Sequence, residues 1–425
     1  MTGRLAFVES PVQLLNVLEW AHATATALRG APHALPAMPA QPTGRTPAPA
    51  PVEAPTAAEP LAPAETPAPA EALAPARAEA PAPAETPAPA RAEAPALGDT
   101  AEAADMLPLA ALRLTVVVLS PTDPMSRGQL RRMAQLARDE GVTVKWQDAR
   151  DGKGAVARTL RELAGPLRAA ERVIVGDPFS RYVQLLLTLF GPRRVTVVDD
   201  GTATMEFAAQ LARGERLVRW HRRGSRGPRE LVLAPVTSLA RRKLAPGRHR
   251  TVEIFTSLPV EPPPGTTVLA NDFSWTRSRF GPPRLTRGAD LVGTSLVETG
   301  VVDPDDYLRV VTVLARTHGA TRYFAHRRES TEKLHRIAVE TGLEVVRPDL
   351  PLELIARRGP IGRTVVSFPS TVVHTLPLAL TGTGVKVAVC EIAPEWLREN
   401  ASPRAQGFLA GVAGTATRTE RLEFG

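Results

Sequence analysis

Short runs of β-branched residues without polar alternation recur along this chain, and Val195-Thr-Val-Val198 is the clearest of them. A strand of this kind has to be covered on both faces, the situation of a parallel strand held between layers of helices. The run ends in Asp199-Asp200-Gly201. Ligands of open parallel sheets bind at the carboxyl ends of the strands, so Asp199 and Asp200 are expected to emerge at a binding rim, with Gly201 permitting the sharp turn. The same three residues also suit an ordinary turn, because Asp-Gly is a common turn pair and an aspartate after a strand often caps the next helix.

The surrounding chain repeats the pattern. Residues 3–8 read as a first strand, followed by a helix in which Ser10 is the cap, Pro11 takes the first position, and Leu14, Leu15, Leu18 and Ala21 recur at helical spacing. Glu9 and Gln13 then fall at the mouth of the sheet. Further strands are predicted at 112–119, 142–146, 172–175 and 195–198, alternating with helices at 126–140, 154–163 and 180–190. This alternation defines a doubly wound parallel sheet.

A second series follows, with strands at 290–292, 321–325, 344–346, 364–366 and 385–389 and helices at 304–318, 330–341, 351–357 and 370–381. The basic, poorly periodic stretch 213–252 reads as the approach to this second domain. Pro259–Gly265, between strands expected at 251–256 and 266–269, reads as the hinge, so the domains are predicted as 1–258 and 259–425. Two Rossmann-like α/β domains facing each other across a cleft make the GT-B architecture. A last helix near 394–400 is expected to cross back onto the first domain.

Residues 31–105 interrupt the first domain with Ala-Pro-Ala-Glu-Thr-Pro repeats, as at Ala62–Pro67 and Ala82–Pro87. Dense proline without large apolar residues favours extended conformations and provides no core, so this insertion is expected to be disordered. Between Gly30 and Asp105 there are ten acidic residues against three arginines, a net −7. The whole chain carries +8, which leaves the remainder near +15. So basic a portion prefers anionic partners such as a nucleotide, an acidic polymer or an anionic membrane surface, the last implying peripheral contact only.

Nucleic acid is not expected as a partner, because aromatics make up 4% of the chain and no basic helix interleaved with stacking residues occurs. No window has the roughly 18–20 consecutive apolar residues of a membrane span, and no signal peptide is read at the start. The single cysteine, Cys390, reads as a small buried apolar residue in a reducing, cytoplasmic compartment.

Three strand ends carry polar groups: Asp199-Asp200-Gly201, Tyr323-Phe-Ala-His-Arg-Arg-Glu-Ser330 and Ser367-Phe-Pro-Ser-Thr371. In this order they resemble the bacterial sialyltransferases of the lipooligosaccharide sialyltransferase and polysialyltransferase type, which carry an acidic pair with glycine, then His-Pro, then a Ser-Ser/Thr pair. Glu9-Ser-Pro-Val-Gln-Leu-Leu15 looks like that family's opening turn. Gly293-Thr-Ser-Leu-Val-Glu298 precedes the histidine motif, and Pro348-Asp-Leu-Pro-Leu-Glu353 lies between the second and third motifs. The resemblance covers most of the chain outside the insertion. It departs from the family at His326-Arg327, where His-Pro is expected.

What the resemblance implies is transfer of sialic acid, or a related nonulosonic acid, from its CMP-activated form to a hydroxyl of a cell-surface glycan, with inversion. It places the base in the acidic pair without deciding between the two, Asp200 being our choice as base with Asp199 in support, and has His326 stabilise or protonate the departing phosphate. A carboxylate beside the acceptor hydroxyl suits general-base work, and a second one can raise its pKa. An imidazole, cationic or hydrogen-donating, suits an anionic leaving group, and Arg327 adds charge.

Ser370 and Thr371 open a predicted helix, whose free N–H groups attract phosphate, although Ser370 as a simple N-cap would read the same. Gly293, Thr294 and Glu298 are further expected donor contacts, while Glu298 and Glu353 are candidate contacts to ribose or acceptor. Asp199 and Asp200 could also hold Mg²⁺, but the basic residues on the phosphate side make a metal unnecessary, and neither metal nor cofactor is expected. The alternative is a non-catalytic nucleotide- or glycan-binding protein on a degenerate transferase scaffold, prompted by the His-Arg departure.

Overall fold

A computed structural model describes residues 3–29, 109–148, 154–219 and 228–398, and, with gaps, 407–422; side chains are described from residue 235 onward in the helix that begins at 228. The proline-rich insertion lies outside the described residues. Strands β1 (Arg4–Val8), β2 (Leu114–Leu119), β3 (Thr143–Gln147), β4 (Arg172–Val175), β5 (Arg194–Val198), β6 (Thr251–Thr256) and β7 (Thr267–Ala270) form one parallel sheet in the order 3-2-1-4-5-6-7. Helices α1 (Pro11–Leu28), α2 (Pro124–Asp139), α3 (Ala155–Ala169), α4 (Arg181–Phe190), α5 (Thr202–Ala212) and α6 (Pro228–Leu244) accompany it. A short α7 (Ser274–Arg279) leads out.

The second sheet contains β8 (Leu285–Val292), β9 (Ala320–Phe324), β10 (Glu344–Val346), β11 (Ile361–Ser367), β12 (Lys386–Cys390) and β13 (Glu420–Leu422), in the order 10-9-8-11-12-13, again parallel. Its helices are α8 (Pro304–His318), α9 (Thr331–Thr341), α10 (Leu352–Arg358) and α11 (Val372–Ala379). Counting from the first strand of each sheet, both run 3-2-1-4-5-6, the Rossmann order, so the chain has the two-Rossmann-domain GT-B architecture. Each order reverses beside its first strand, and the open crevice of such a sheet lies at the carboxyl ends there.

Burial explains the unalternated strands. Along β1, Leu5 and Phe7 join one apolar cluster with Val197, Leu186 and Phe207, while Ala6 and Val8 join another with Leu14, Leu18 and Met133. That second cluster continues into the other domain through Leu350, Leu354 and Ala379, packed with Trp275. Ser10 caps α1 by accepting from the Gln13 N–H at 3.2 Å, with Pro11 in the first turn as the sequence indicates.

Three expectations are corrected. β7 pairs with β6 through Thr256–Ala270, so the loop 259–265 connects neighbours in one sheet and the chain passes to the second domain between 271 and 284. The basic stretch 213–252 contains α6, whose Leu244 packs in the first domain's core, so it belongs to that domain. The helix expected at 394–400 is a single 3-10 turn, Pro394–Trp396; Trp396 packs in the second domain's core and Leu397 bridges Val302 there, so this segment does not cross back. No helix among the described residues is long and apolar enough to cross a membrane.

Candidate functional site

The adjacent aspartates after β5 have different surroundings. Asp199 is 2% exposed. Its Oδ2 accepts from Thr256 Oγ1 at 2.9 Å, the Ser257 N–H at 3.2 Å and Ser257 Oγ at 3.1 Å. Its carbonyl accepts from Asn16 Nδ2 at 2.9 Å, and Asn16 in turn accepts from Asn271 Nδ2 at 2.8 Å. Asp199 therefore pins the ends of β5 and β6 to α1. Its Oδ1 has no well-formed hydrogen bond, although the Thr204 hydroxyl lies beside it; burial outweighs these donors and raises its pKa.

Asp200 turns the other way, with 15% of its side chain exposed to the cleft. Its N–H donates to Thr204 Oγ1 at 2.8 Å. Arg219 Nη2 donates to its Oδ2 at 3.2 Å and, from the same nitrogen, to Asp177 Oδ2 at 3.0 Å. Burial and then the Asp177 charge push the Asp200 carboxyl up to about 7, against the pull of Arg219, a Gln13 hydrogen bond and Arg327. Gly201 follows at φ 64° and ψ −134°, a conformation open to glycine. A Cβ there would lie 3.4 Å from Thr371 Oγ1, so the acidic turn and the serine-threonine turn meet across the cleft.

Behind the opposite wall is a buried polar frame. Glu329 accepts from Tyr323 Oη at 2.6 Å, from the His326 N–H at 2.5 Å and from Lys333 Nζ at 2.8 Å. A side chain at Gly293 would overlap the Glu329 carboxyl, its Cβ only 2.3 Å from Oε2. Lys333 also donates to the Thr294 carbonyl at 2.9 Å and pairs with Glu298 at 3.5 Å, while Glu298 accepts from the Ser330 N–H at 3.1 Å. Gly293, Thr294 and Glu298, expected as donor contacts, are thus placed as the frame that holds the His326 turn.

His326 Nδ1 accepts from the Arg328 N–H at 3.2 Å, which leaves the proton on Nε2 as a donor. Burial first, then Arg327, Arg328 and Lys333, push the imidazole down to about 4. Of the two forms left open, cationic or hydrogen-donating, the lowered pKa and the Nε2 proton favour the hydrogen-donating one. The cation is Arg327, which reaches solvent yet lies near enough to Asp200 and Asp123 to interact with both.

Helix α11 begins later than predicted. Thr371 takes the cap position without a capping side-chain bond, and Ser370 precedes it, so the reading of Ser370 as an N-cap does not hold. Glu353, 6% exposed, accepts from Thr375 Oγ1 at 2.5 Å. Burial raises its pKa, and the Asp199 charge adds to this. Glu9 accepts from Ser180 Oγ, and its N–H donates to Gln13 Oε1 at 2.7 Å. Cys390 is fully buried and pushed up to about 12 by burial, an inert thiol.

Sequence reasoning did not single out Asp177, Arg219 or Glu329 as site residues. Asp177 carries the same signal as the acidic pair, since Gly176-Asp177 ends β4 as Asp199-Asp200 ends β5. Arg219 lies in an irregular stretch without periodicity. Among the described residues no group of three or more His, Cys, Asp or Glu is placed to hold a metal ion. Chemically, one wall offers a carboxyl that changes protonation near neutrality, and the other offers an imidazole N–H, an arginine and two hydroxyls suited to an anion.

No protein-family model matches the chain, and no curated protein matches it. Among solved structures it is similar to the α/β-galactoside α-2,3-sialyltransferase of Photobacterium phosphoreum (8% identity, 72% of this chain and 90% of that one, TM-score 0.37). It is similar as well to the GT-B domain of the Photobacterium damselae sialyltransferase (8% identity, 100% of both chains, TM-score 0.39). A Polygonum tinctorium UDP-glucosyltransferase is also similar (14% identity, 68% of this chain and 77% of that one, TM-score 0.34). Similarities this distant carry no weight for function, which has to come from the side chains.

Proposed function

We propose that this protein is a glycosyltransferase that moves a sugar from a nucleotide-activated donor to a hydroxyl, with inversion, and that the donor is a CMP-activated sialic acid or related nonulosonic acid. The observation that carries the proposal is Asp200: a carboxyl pushed up to about 7, opposite an imidazole N–H, Arg327 and the Ser370-Thr371 turn. A base of that pKa is half ionised near neutral pH yet basic enough to take a proton in the transition state. As the acceptor oxygen bonds to the anomeric carbon, its proton passes to Asp200. The bond from that carbon to the phosphate oxygen breaks, and its electron pair leaves with CMP.

His326 Nε2–H and Arg327 meet the charge that develops on the departing phosphate, and the hydroxyls of Ser370 and Thr371 hold its other oxygens. The choice of CMP and of a nonulosonic sugar rests on the order of the three motifs. The acceptor is proposed to be a surface glycan, a partner the basic folded portion suits if it is anionic.

The test is CMP release from CMP-sialic acid with a glycan acceptor, comparing the wild type with Asp200→Asn and His326→Ala. Loss in both variants with folding retained supports the mechanism, whereas full activity in both removes it. Binding of CMP without turnover of any CMP-sugar would favour the non-catalytic alternative.

A further inference from the structure

We propose that Asp177, joined to Asp200 through the shared Arg219 guanidinium, is the positioning residue that decides when Asp200 can accept a proton. This rests on the reading of Asp200 as the base. One Arg219 nitrogen bridges the two carboxylates, at 3.0 Å to Asp177 and 3.2 Å to Asp200, with the three side chains 32%, 12% and 15% exposed in the order Arg219, Asp177, Asp200. Each member of the bridge is fixed independently. Asp177 Oδ1 accepts from the Phe179 N–H at 2.8 Å, and the Arg219 guanidinium lies 5.6 Å from the Phe179 ring centroid. On the other side of Asp200, Gln13 Oε1 is taken by the Glu9 N–H, which turns the amide nitrogen toward Asp200. Gly176 makes room for that amide, since a Cβ there would lie 2.5 Å from Gln13 Oε1.

Two carboxylates sharing one cation leave one negative charge in excess, and a single proton cancels it. Asp177 keeps the cation partly to itself, so Asp200 is less ionised than a carboxylate with its own arginine. The other charged groups facing Asp200 are Arg327 from the opposite wall and, through Arg327, Asp123 at the cap of α2, with buried Asp199 behind. In the reaction Asp200 takes the acceptor's proton, while Asp177 acts on it through its own charge and through the Arg219 they share.

The experiment is the pH profile of kcat/KM for CMP release in the wild type, Asp177→Asn and Arg219→Gln, read beside the carboxyl ¹³C titration of aspartate-labelled protein without substrate, with Asp200→Asn assigning the signal. Asp177→Asn keeps an acceptor for Arg219 and removes the charge, so the acidic limb and the Asp200 midpoint should fall by about one pH unit or more. Arg219→Gln should move both upward. A merely structural role would scale the rate at every pH without moving either midpoint, and unmoved midpoints in both variants overturn the proposal. If the NMR midpoints move as expected while the wild type releases no CMP, the positioning stands and the transferase reading falls.

Discussion

Asp199 and Asp200 share a side chain and a turn, yet the fold sends one into the protein and the other toward the cleft. Asp199 is held by Thr256 and Ser257, so Asp199→Asn, which places an amide against donors, is expected to cost about 1–3 kcal/mol in chemical denaturation. Asp200→Asn removes a carboxyl that folding raises to about 7, so it is expected to raise stability at neutral and higher pH while lowering transfer by about 10²–10⁴-fold. On the proposed mechanism Asp200 works ionised, so activity should rise with pH through about 7. His326 is already neutral above about 4, so no limb near 6.5 should belong to it; a limb there that disappears in His326→Asn would contradict this assignment. The acidic pair and the histidine were legible in the sequence because strand ends are. Which aspartate faces the cleft was not, since that depends on Thr256 at the end of β6 and Ser257 just beyond it, more than fifty residues away.

Among the elements, α7 shows how a short helix is held from elsewhere. Glu19 of α1, 1% exposed, accepts from the Trp275 and Thr276 N–H groups, each at 2.9 Å, and from Thr276 Oγ1 at 2.5 Å. Removing the acceptor in Glu19→Ala should cost about 1–3 kcal/mol. Burial nevertheless pushes the Glu19 carboxyl from 4.5 up to about 7. A carboxyl raised on folding contributes stability that is complete below about 4.5 and is lost as pH rises through about 7. Thermal unfolding between pH 5 and 7.5 should show that decline in the wild type and a flatter curve in Glu19→Gln. Helices with their own caps were legible, such as α8, whose Pro304–His318 span matches the prediction. Helix α7, with no side-chain cap of its own, and α11, which starts after an uncapped Thr371, were misread or missed because their ends are set by tertiary contacts.

At the scale of the molecule, the two sheets share an apolar cluster. Leu354 of α10 is fully buried in the core that also holds Leu14, Leu18 and Trp275. Leu354→Ala should therefore cost about 2–5 kcal/mol, and unfolding followed by tryptophan fluorescence and circular dichroism should lose both domains in one transition. The Rossmann alternation was legible because the central strands β1, β2, β4 and β5 are buried on both faces. The domain boundary was not, because Pro259–Gly265 has a hinge's composition while β7 beyond it completes the first sheet. The cleft between the domains is where Asp200 meets Arg327 and Gly201 meets Thr371. CMP release from CMP-sialic acid in the presence of a glycan acceptor tests that convergence most directly. Release by the wild type that rises through pH 7 and is lost in Asp200→Asn is the predicted result; equal release by both proteins at every pH would contradict it.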